Sequence, residues 1–375
     1  MRWLLLRRRI LSNKSYRTMK NIGLILLILS IILFASFHLF SFSNKSIITQ
    51  QSCISKSDDL NETQRRNYDS SSLKPIIFIG GMPRSGTTLM RAILDSHPSV
   101  RCGEETRVIP RMLSMRAAWK KSTVEWNRLL SGGMTESILD SAVRAFVYEI
   151  LIHHSQSADI LCDKDPFVIK YSSYVSSLFP NSKFLLLIRD GRAVIHSVMT
   201  RKVTITGFSL TDYRQNLKIW NKGMETMYEE CEQIGPDRCQ MVYYEQLVLQ
   251  PKKTIGNILK FLNISWVDSV LHHEEFIGKK ISLSKTEHST DQVIKPINLE
   301  ALTKWFSHIP ANVKRDVDSL APMLKRLGYD TISDAPTYGT ADPFVLENMN
   351  RLKNNADFWK NQTKMYARQI PTRVN

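Results

Sequence analysis

Pro75-Ile-Ile-Phe-Ile-Gly-Gly-Met-Pro-Arg-Ser-Gly-Thr-Thr-Leu-Met-Arg-Ala-Ile-Leu94 decides the fold. Ile76 to Ile79 read as a buried strand. The run breaks at Gly80-Gly81, turns through Met82 to Ser85 and opens a helix at Gly86. Strand, loop and helix in that order aim backbone N–H groups and a helix dipole at an anion. The spacing from Gly81 to Thr88 matches G-x-x-x-x-G-K-[ST], except that Thr87 stands where nucleotide hydrolases carry lysine. The loop's single cation is Arg84, inside the turn. A phosphosulfate donor suits that change better than ATP does. A lone glycine turn is often only a turn, but the strand before it, the helix after it and the paired threonines argue for a site.

Outward from the loop, the chain has 375 residues, room for two average domains or one large α/β domain with appendages. Residues 1–20 carry seven cations and no acid, and Ile22 to Phe40 follow without a formal charge. That pattern predicts a cytoplasmic tail (1–20) and a transmembrane signal anchor (21–41), with the remainder luminal. A cleaved signal peptide would have a shorter apolar core and a small-residue cleavage site. The short span suits an early secretory membrane. Taking those seven cations from the net +16 leaves about +9, a charge that favours anionic ligands. Nucleic acid is a poor luminal partner, and no basic block interleaved with aromatics follows residue 21.

Residues 42–73 are polar and charged and read as a flexible stem. Sequons at Asn61, Asn263 and Asn361 are candidate glycosylation sites. Of five cysteines, four allow two bridges in an oxidising lumen, and Cys53 in the stem is left over. No cysteine or histidine spacing fits zinc, so no metal is expected.

From residue 74 to 345, strands alternate with helices. Apolar runs at Ile76–Ile79, 160–162, Lys183–Ile188 and 241–244 predict strands. Ile138, Ala142, Phe146 and Ile150, with Leu139, Val143, Val147 and Leu151 beside them, form a helical stripe. Tyr213, Leu217, Trp220, Met224, Met227 and Cys231 form another, and both read as core. The expected fold class is α/β, a central parallel sheet flanked by helices and preceded by the membrane anchor. Residues 346–375 read as an irregular polar tail.

A second anion site follows the third strand, where Phe184-Leu-Leu-Leu-Ile-Arg-Asp-Gly-Arg-Ala-Val-Ile-His-Ser197 puts Arg189 at the strand end and Ser197 on the next helix. Both anion sites lie beyond the carboxyl ends of strands, where open α/β sheets bind ligands. Two such sites suggest a nucleotide phosphorylated on both sides of its ribose. The competing readings make Asp190 a magnesium ligand or an ion-pair partner of Arg189.

Gly-Gly-Met-Pro-Arg-Ser-Gly-Thr-Thr (80–88), Arg-Cys-Gly-Glu-Glu-Thr-Arg (101–107), Asp-Lys-Asp-Pro-Phe (163–167), Arg-Asp-Gly-Arg-Ala (189–193) and Ser-Thr-Asp-Gln-Val-Ile-Lys-Pro (289–296) resemble the tyrosylprotein sulfotransferases. Those are Golgi enzymes that move a sulfuryl group from 3′-phosphoadenosine-5′-phosphosulfate (PAPS) to protein tyrosines. The likeness runs from about Pro75 to Phe344 and implies a P-loop-like sulfotransferase fold. It implies that Arg84, Ser85, Gly86, Thr87 and Thr88 hold the phosphosulfate, and Arg189, Ser197 and Arg201 the 3′-phosphate. Tyr244, Ser289, Thr290, Asp291, Gln292, Val293, Ile294, Lys295, Pro296, Ile297, Asn298 and Lys304 would complete that site. Glu105 would be the base, with Arg84, Lys164 and Ser289 steadying the transition state, and Arg107 and Arg111 facing an acidic peptide. Disulfides Cys102–Cys162 and Cys231–Cys239, and a homodimer, are further implications.

Chemistry supports these roles independently. A phenol with a pKa near 10 needs a positioned base to attack at neutral pH. Sulfuryl transfer, like phosphoryl transfer, spreads charge that fixed cations and hydroxyls stabilise. Each residue also has a plainer reading: Glu104 or Glu105 as a helix-start acid, Lys164 as a surface ion pair, Arg107 and Arg111 as a solvated face. Two departures from the family pattern stand at the rim, His288 in place of an arginine and a shortened Gly278-Lys-Lys-Ile281 segment. The reading is a type II Golgi membrane enzyme that sulfates tyrosines. Its rivals are a glycan sulfotransferase, which needs no Arg107 and Arg111; a P-loop kinase, which needs magnesium and ATP; and a membrane-anchored protein that binds the cofactor without turnover.

Overall fold

Strands that are apolar on both faces require cover on both sides, and the chain supplies it. The computed structural model describes residues 73–154, 157–284 and 287–366. The expected cytoplasmic tail, membrane anchor, stem, Cys53 and Asn61 lie outside them. Five parallel strands form one sheet: β1 (Ile76–Gly81), β2 (Val100–Arg101), β3 (Ile160–Lys164), β4 (Lys183–Ile188) and β5 (Cys239–Tyr243), in the order β2-β3-β1-β4-β5. The central β1 has β3 on one side and β4 on the other, so the crevice for a ligand opens at its carboxyl end. Alternate residues serve opposite faces. Phe78, Phe184, Leu186 and Ile188 join Trp220 in one core, while Ile77, Ile79, Leu185 and Leu187 join Met90 and Val242 in the other. Each such side chain contributes about 1.5–3 kcal/mol on burial.

The strand and helix expectations hold with small shifts. β3 runs on to Lys164, β5 begins at Cys239, and Tyr244 already belongs to the following helix. β2 was not foreseen, since two residues show no periodicity. In the Glu136–His154 helix the buried stripe is Leu139, Val143, Val147 and Leu151; of the row beside it, Ile138 and Ala142 are exposed, while Phe146 and Ile150 are half-buried against the core. The Tyr213–Ile234 helix buries Leu217, Trp220, Met224, Met227 and Cys231 as expected. Its Trp220 ring lies where a Cβ at Gly191 would come within 2.6 Å, so that glycine lets the helix close on the β4 turn.

The carboxyl-terminal part is a correction. Residues 343–365 form the helices Pro343–Asn354 and Ala356–Met365, and the expected boundary at 345 cuts the first. Asp342 caps that helix and Pro343 sits at its first position, a start signal that the polar composition masked. Its narrow buried face, Val345, Asn348 and Leu352, bonds the 289–298 segment through Asn348 Nδ2 to the Ile297 carbonyl at 3.0 Å.

A buried polar network braces the β4 and β5 ends. Glu245 accepts from the Asp190 N–H and the Tyr329 hydroxyl, each at 2.9 Å, and Tyr338 donates to Asp190 at 2.9 Å. Burial, seconded by the charge of Asp190, outweighs the hydrogen bonds and pushes the Glu245 carboxyl up from 4.5 to about 7. A folded pKa above the unfolded one gives stability that is complete below about pH 4.5 and lost as pH rises through 7. Glu245→Gln should therefore flatten the fall in urea midpoint between about pH 5 and pH 8, by the equivalent of about 1–3 kcal/mol. Equal slopes in the chain and the variant would show that this carboxyl does not titrate there.

Candidate active site

The anion loop is built at the end of β1. Gly86 caps the Thr87–Asp95 helix at φ 102°, and a Cβ there would meet the Tyr244 ring at 2.5 Å, so glycine is required on both counts. No side chain caps this helix and its first turn holds no acid, which leaves its N–H groups to an outside anion. Arg84 is also left-handed, at φ 78°, a conformation unusual for a side-chain-bearing residue and common at ligand loops. It is 9% exposed and donates to Ser197 Oγ at 3.0 Å, to Ser289 Oγ and to Gln292 Oε1. Ser85 Oγ is buried without a partner.

The second expected anion site adjoins the first. Arg189 donates to the carbonyls of Arg84 (2.9 Å) and Ala301 (2.7 Å) and stacks over Tyr244 at 4.6 Å; its Nε is buried and unpartnered. Arg84, Gly86, Thr88, Arg189, Tyr244, Ser289, Gln292, Val293, Lys295, Pro296, Ile297 and Asn298 line one cavity. Ser85, Ser197, Thr290 and Ile294 do not line it: Ser197 is bonded to Arg84, and the other three are buried. Arg201 pairs with Asp291 at 2.8 Å, and Lys304 is exposed on the rim beside Glu300 at 3.7 Å. Burial, then Arg201 and Arg189, push the Arg84 guanidinium down to about 9. Arginine keeps its proton nearly always, so the shift is best read as crowding of three guanidiniums, relieved by a polyanion. Orphaned Ser85 Oγ and Arg189 Nε, with the uncapped helix, fit such a ligand.

A second cleft carries the remaining candidates. Glu105 accepts from Lys164 Nζ and from Arg107 Nε, both at 2.8 Å. β1–β3 pairing sets Lys164 beside Ile79, and the Cys102–Cys162 disulfide holds the Glu105 loop to the same strand. Cys231–Cys239 is formed as well, away from the site. Burial raises the Glu105 carboxyl, but Lys164 and Arg107 outweigh it and hold it below the usual range. Arg107 precedes the Val108–Lys121 helix at φ 61° and Arg111 lies in its first turn, so they share a cleft without sharing a regular helical face. His288 lines this cleft too.

Two of the plainer readings fail on position, while Arg107 and Arg111 are exposed, as a solvated face would be. No acid lies in the first turn of the Val108–Lys121 helix, and Lys164 is 1% exposed. Asp190 caps the Gly191–Thr200 helix and pairs with Arg192 at 2.8 Å, not with Arg189, so its oxygens are occupied by the protein. One participant escaped the sequence reading. Glu287 binds Lys164 Nζ through both oxygens at 3.3 Å, and accepts from Thr88 Oγ1 and the Glu105 N–H at 3.3 Å. An acid in an irregular segment gives no periodic signal. Asp165, with burial and the Glu105 charge raising it to about 7, accepts from the Arg107 N–H at 2.8 Å.

Both clefts are lined by Arg84, Thr88 and Ser289, so they meet there. An anionic donor on one side and a nucleophile deprotonated by Glu105 on the other would come together at that point.

The described fold agrees with what comparison finds. Residues 75–268 match the sulfotransferase family. The chain is 59% identical to protein-tyrosine sulfotransferase 2 of Gallus gallus over 287 residues, 76% of this chain and 77% of that one. Identity is 53% to protein-tyrosine sulfotransferase 1 of Homo sapiens over 280 residues, 74% and 76% of the two chains. Among solved structures, the sulfotransferase domain of the Synechococcus PCC 7002 olefin synthase superposes with a TM-score of 0.50 at 25% identity, over 69% of this chain and 96% of that one.

Because Glu287 shares Lys164 with Glu105, its charge raises the proton affinity of Glu105. Glu287→Gln should move the acid limb of the kcat/KM profile to lower pH, by roughly one unit. An unmoved limb would separate Glu287 from Glu105.

Proposed function

The chain belongs to the protein-tyrosine sulfotransferases, and from that membership we propose how it works. It transfers the sulfuryl group of PAPS to tyrosines in acidic segments of secreted and membrane proteins. The observation that carries this reading is the junction of the two clefts at Arg84, Thr88 and Ser289, with Glu105 on the acceptor side. PAPS, when bound, supplies an activated sulfuryl group and a stable leaving phosphate. The loop N–H groups and Arg84 receive its phosphosulfate end, and Arg189, with Ser197 and Arg201 behind, receives the 3′-phosphate. Glu105 takes the phenol proton at Oε2 or Oε1. Lys164 is shared by two carboxylates. Recruitment of its ammonium toward a transferring anion leaves Glu105 less neutralised and so a stronger base. Arg107 and Arg111, on the acceptor cleft, favour an acidic peptide over a neutral glycan.

The same proposal includes a single-pass type II orientation in the Golgi membrane, a homodimer, and glycans on Asn61, Asn263 and Asn361. Asn263 and Asn361 are exposed, as acceptors must be, and two disulfides suit an oxidising lumen.

Labelled PAPS, an acidic tyrosine peptide and its phenylalanine counterpart test the reaction on the full-length chain. Label is expected on the tyrosine peptide alone, and Glu105→Gln should lower kcat by about 10²–10⁴-fold with little change in the KM for PAPS. An undiminished kcat would remove Glu105 as base, and label on a glycan acceptor alone would overturn the peptide assignment. Adenosine 3′,5′-bisphosphate at about a hundred times its Kd should stabilise the fold by about 2.7 kcal/mol, read as a rise in unfolding temperature. No rise would contradict the assigned cofactor cavity.

A further inference from the structure

A third cleft lies on the other side of the Glu105 loop, and the reaction as described makes no use of it. Its walls include Arg91, Arg101, Lys279 and Lys280, set against the carboxylates of Asp95 and Glu104. Asp95 is already committed, to Arg91 Nε at 2.9 Å and to the Cys102 N–H at 2.6 Å. Among the described residues Arg101 and Lys280 hydrogen-bond only backbone carbonyls: Arg101 Nη1 donates to the His97 carbonyl at 3.1 Å, and Lys280 Nζ to the same carbonyl at 3.2 Å. Lys279 is exposed and makes no ion pair among the described residues. Arg91 is 1% exposed, lines the cleft and has an unpartnered Nη1; Arg101 Nε is likewise buried and unpartnered. Mutual repulsion shows on Lys280, whose ammonium is lowered by burial and then by Arg101. Cations gathered this closely, with donors to spare and few carboxylates, make a receptor for anions.

The cleft adjoins the acceptor cleft along shared elements. On the Thr87–Asp95 helix, Thr87 lines the acceptor cleft and Arg91, one turn on, lines this one. On the base loop, Glu105 faces the acceptor cleft and Glu104 faces this one. Ser282, whose carbonyl accepts from Arg91 Nη2 at 2.8 Å, belongs to the segment that carries Gly278-Lys-Lys-Ile281. An extended peptide advances about 3.3 Å per residue, so side chains a few residues from an acceptor tyrosine span one helical turn and more.

Resting on the reading that this chain sulfates tyrosines, we propose that the third cleft is an exosite for the acidic flank of the substrate. It takes side-chain carboxylates several residues from the tyrosine, while Arg107 and Arg111 serve those beside it. Lys279 and Lys280 supply the lysine charge of that site.

Two single-tyrosine peptides of equal length test it on the full-length chain, one acidic throughout and one acidic only beside the tyrosine. Lys279→Glu/Lys280→Glu should raise the KM for the first about tenfold, leaving its kcat, the KM for the second and adenosine 3′,5′-bisphosphate affinity unchanged. Lys279→Gln/Lys280→Gln, which adds no repulsion, should give a smaller rise in the same KM and guards against misfolding of the charge reversal. An unchanged KM for the first peptide, or an equal rise for both, overturns the exosite. A third peptide carries sulfotyrosines in place of the distant carboxylates; sensitivity confined to it would mean that the cleft reads product and not acidic flank. Binding of a fluorescent acidic peptide with phenylalanine for tyrosine keeps the two readings separate. If the unaltered chain transfers nothing to any tyrosine yet binds this peptide, and the double variant does not, the tyrosine reading falls and the basic cleft stands. No binding by the unaltered chain removes the cleft alone.

Discussion

One buried ammonium organises the catalytic half of this molecule. Lys164 is 1% exposed, and a lone cation so far from water would be too costly to keep. Its cost is met by two carboxylates on different segments, Glu105 at 2.8 Å and Glu287 at 3.3 Å. The requirement to neutralise Lys164 therefore draws the base loop and the 287–289 segment onto the sheet. Glu287 also reaches Thr88 on the anion loop. The lysine thus indirectly couples the anion loop to Glu105. Its own placement needs no side-chain preference, because strand register alone sets it beside Ile79, ahead of the glycine turn.

Much of this frame is legible in sequence, for physical reasons. Strands of a doubly covered sheet are continuous apolar runs, and Ile76–Gly81 and Lys183–Ile188 could hardly be anything else. The anion loop is legible because left-handed and close-packed positions restrict residue choice, as at Gly86. Residues whose roles arise from tertiary proximity stayed hidden. Glu287 comes from an irregular segment and Asp165 gains its raised proton affinity only on burial. The Pro343–Asn354 helix was masked by composition, since Val345, Asn348 and Leu352 are few among polar neighbours.

That helix matters beyond its own stability. The 289–298 segment contributes Ser289 and Gln292 to Arg84 and several walls of the cofactor cavity, yet has only one helical turn of its own, Thr290–Val293. Short irregular backbone holds a geometry only where neighbours fix it. Asn348 does so through the Ile297 carbonyl, and the Met349 sulfur accepts from the Leu299 N–H. The polar carboxyl-terminal region is thus part of the scaffold of the site.

The distribution of charge between the two clefts gives the arrangement its direction. On the cofactor side, Arg84 and Arg189 bond hydroxyls, an amide oxygen and carbonyls but no carboxylate, so their repulsion is left standing. On the acceptor side, Lys164 and Arg107 are already covered by Glu105, with Glu287 doubling the cover on Lys164. An anion entering the first cleft lowers the energy of the protein's own charges, whereas one approaching Lys164 in the second must displace a carboxylate. Tyrosine, neutral until its proton leaves, is the acceptor that such a second cleft admits without that penalty. The carboxylates around the tyrosine are then best received away from Lys164, by Arg111 and by the cations of the third cleft.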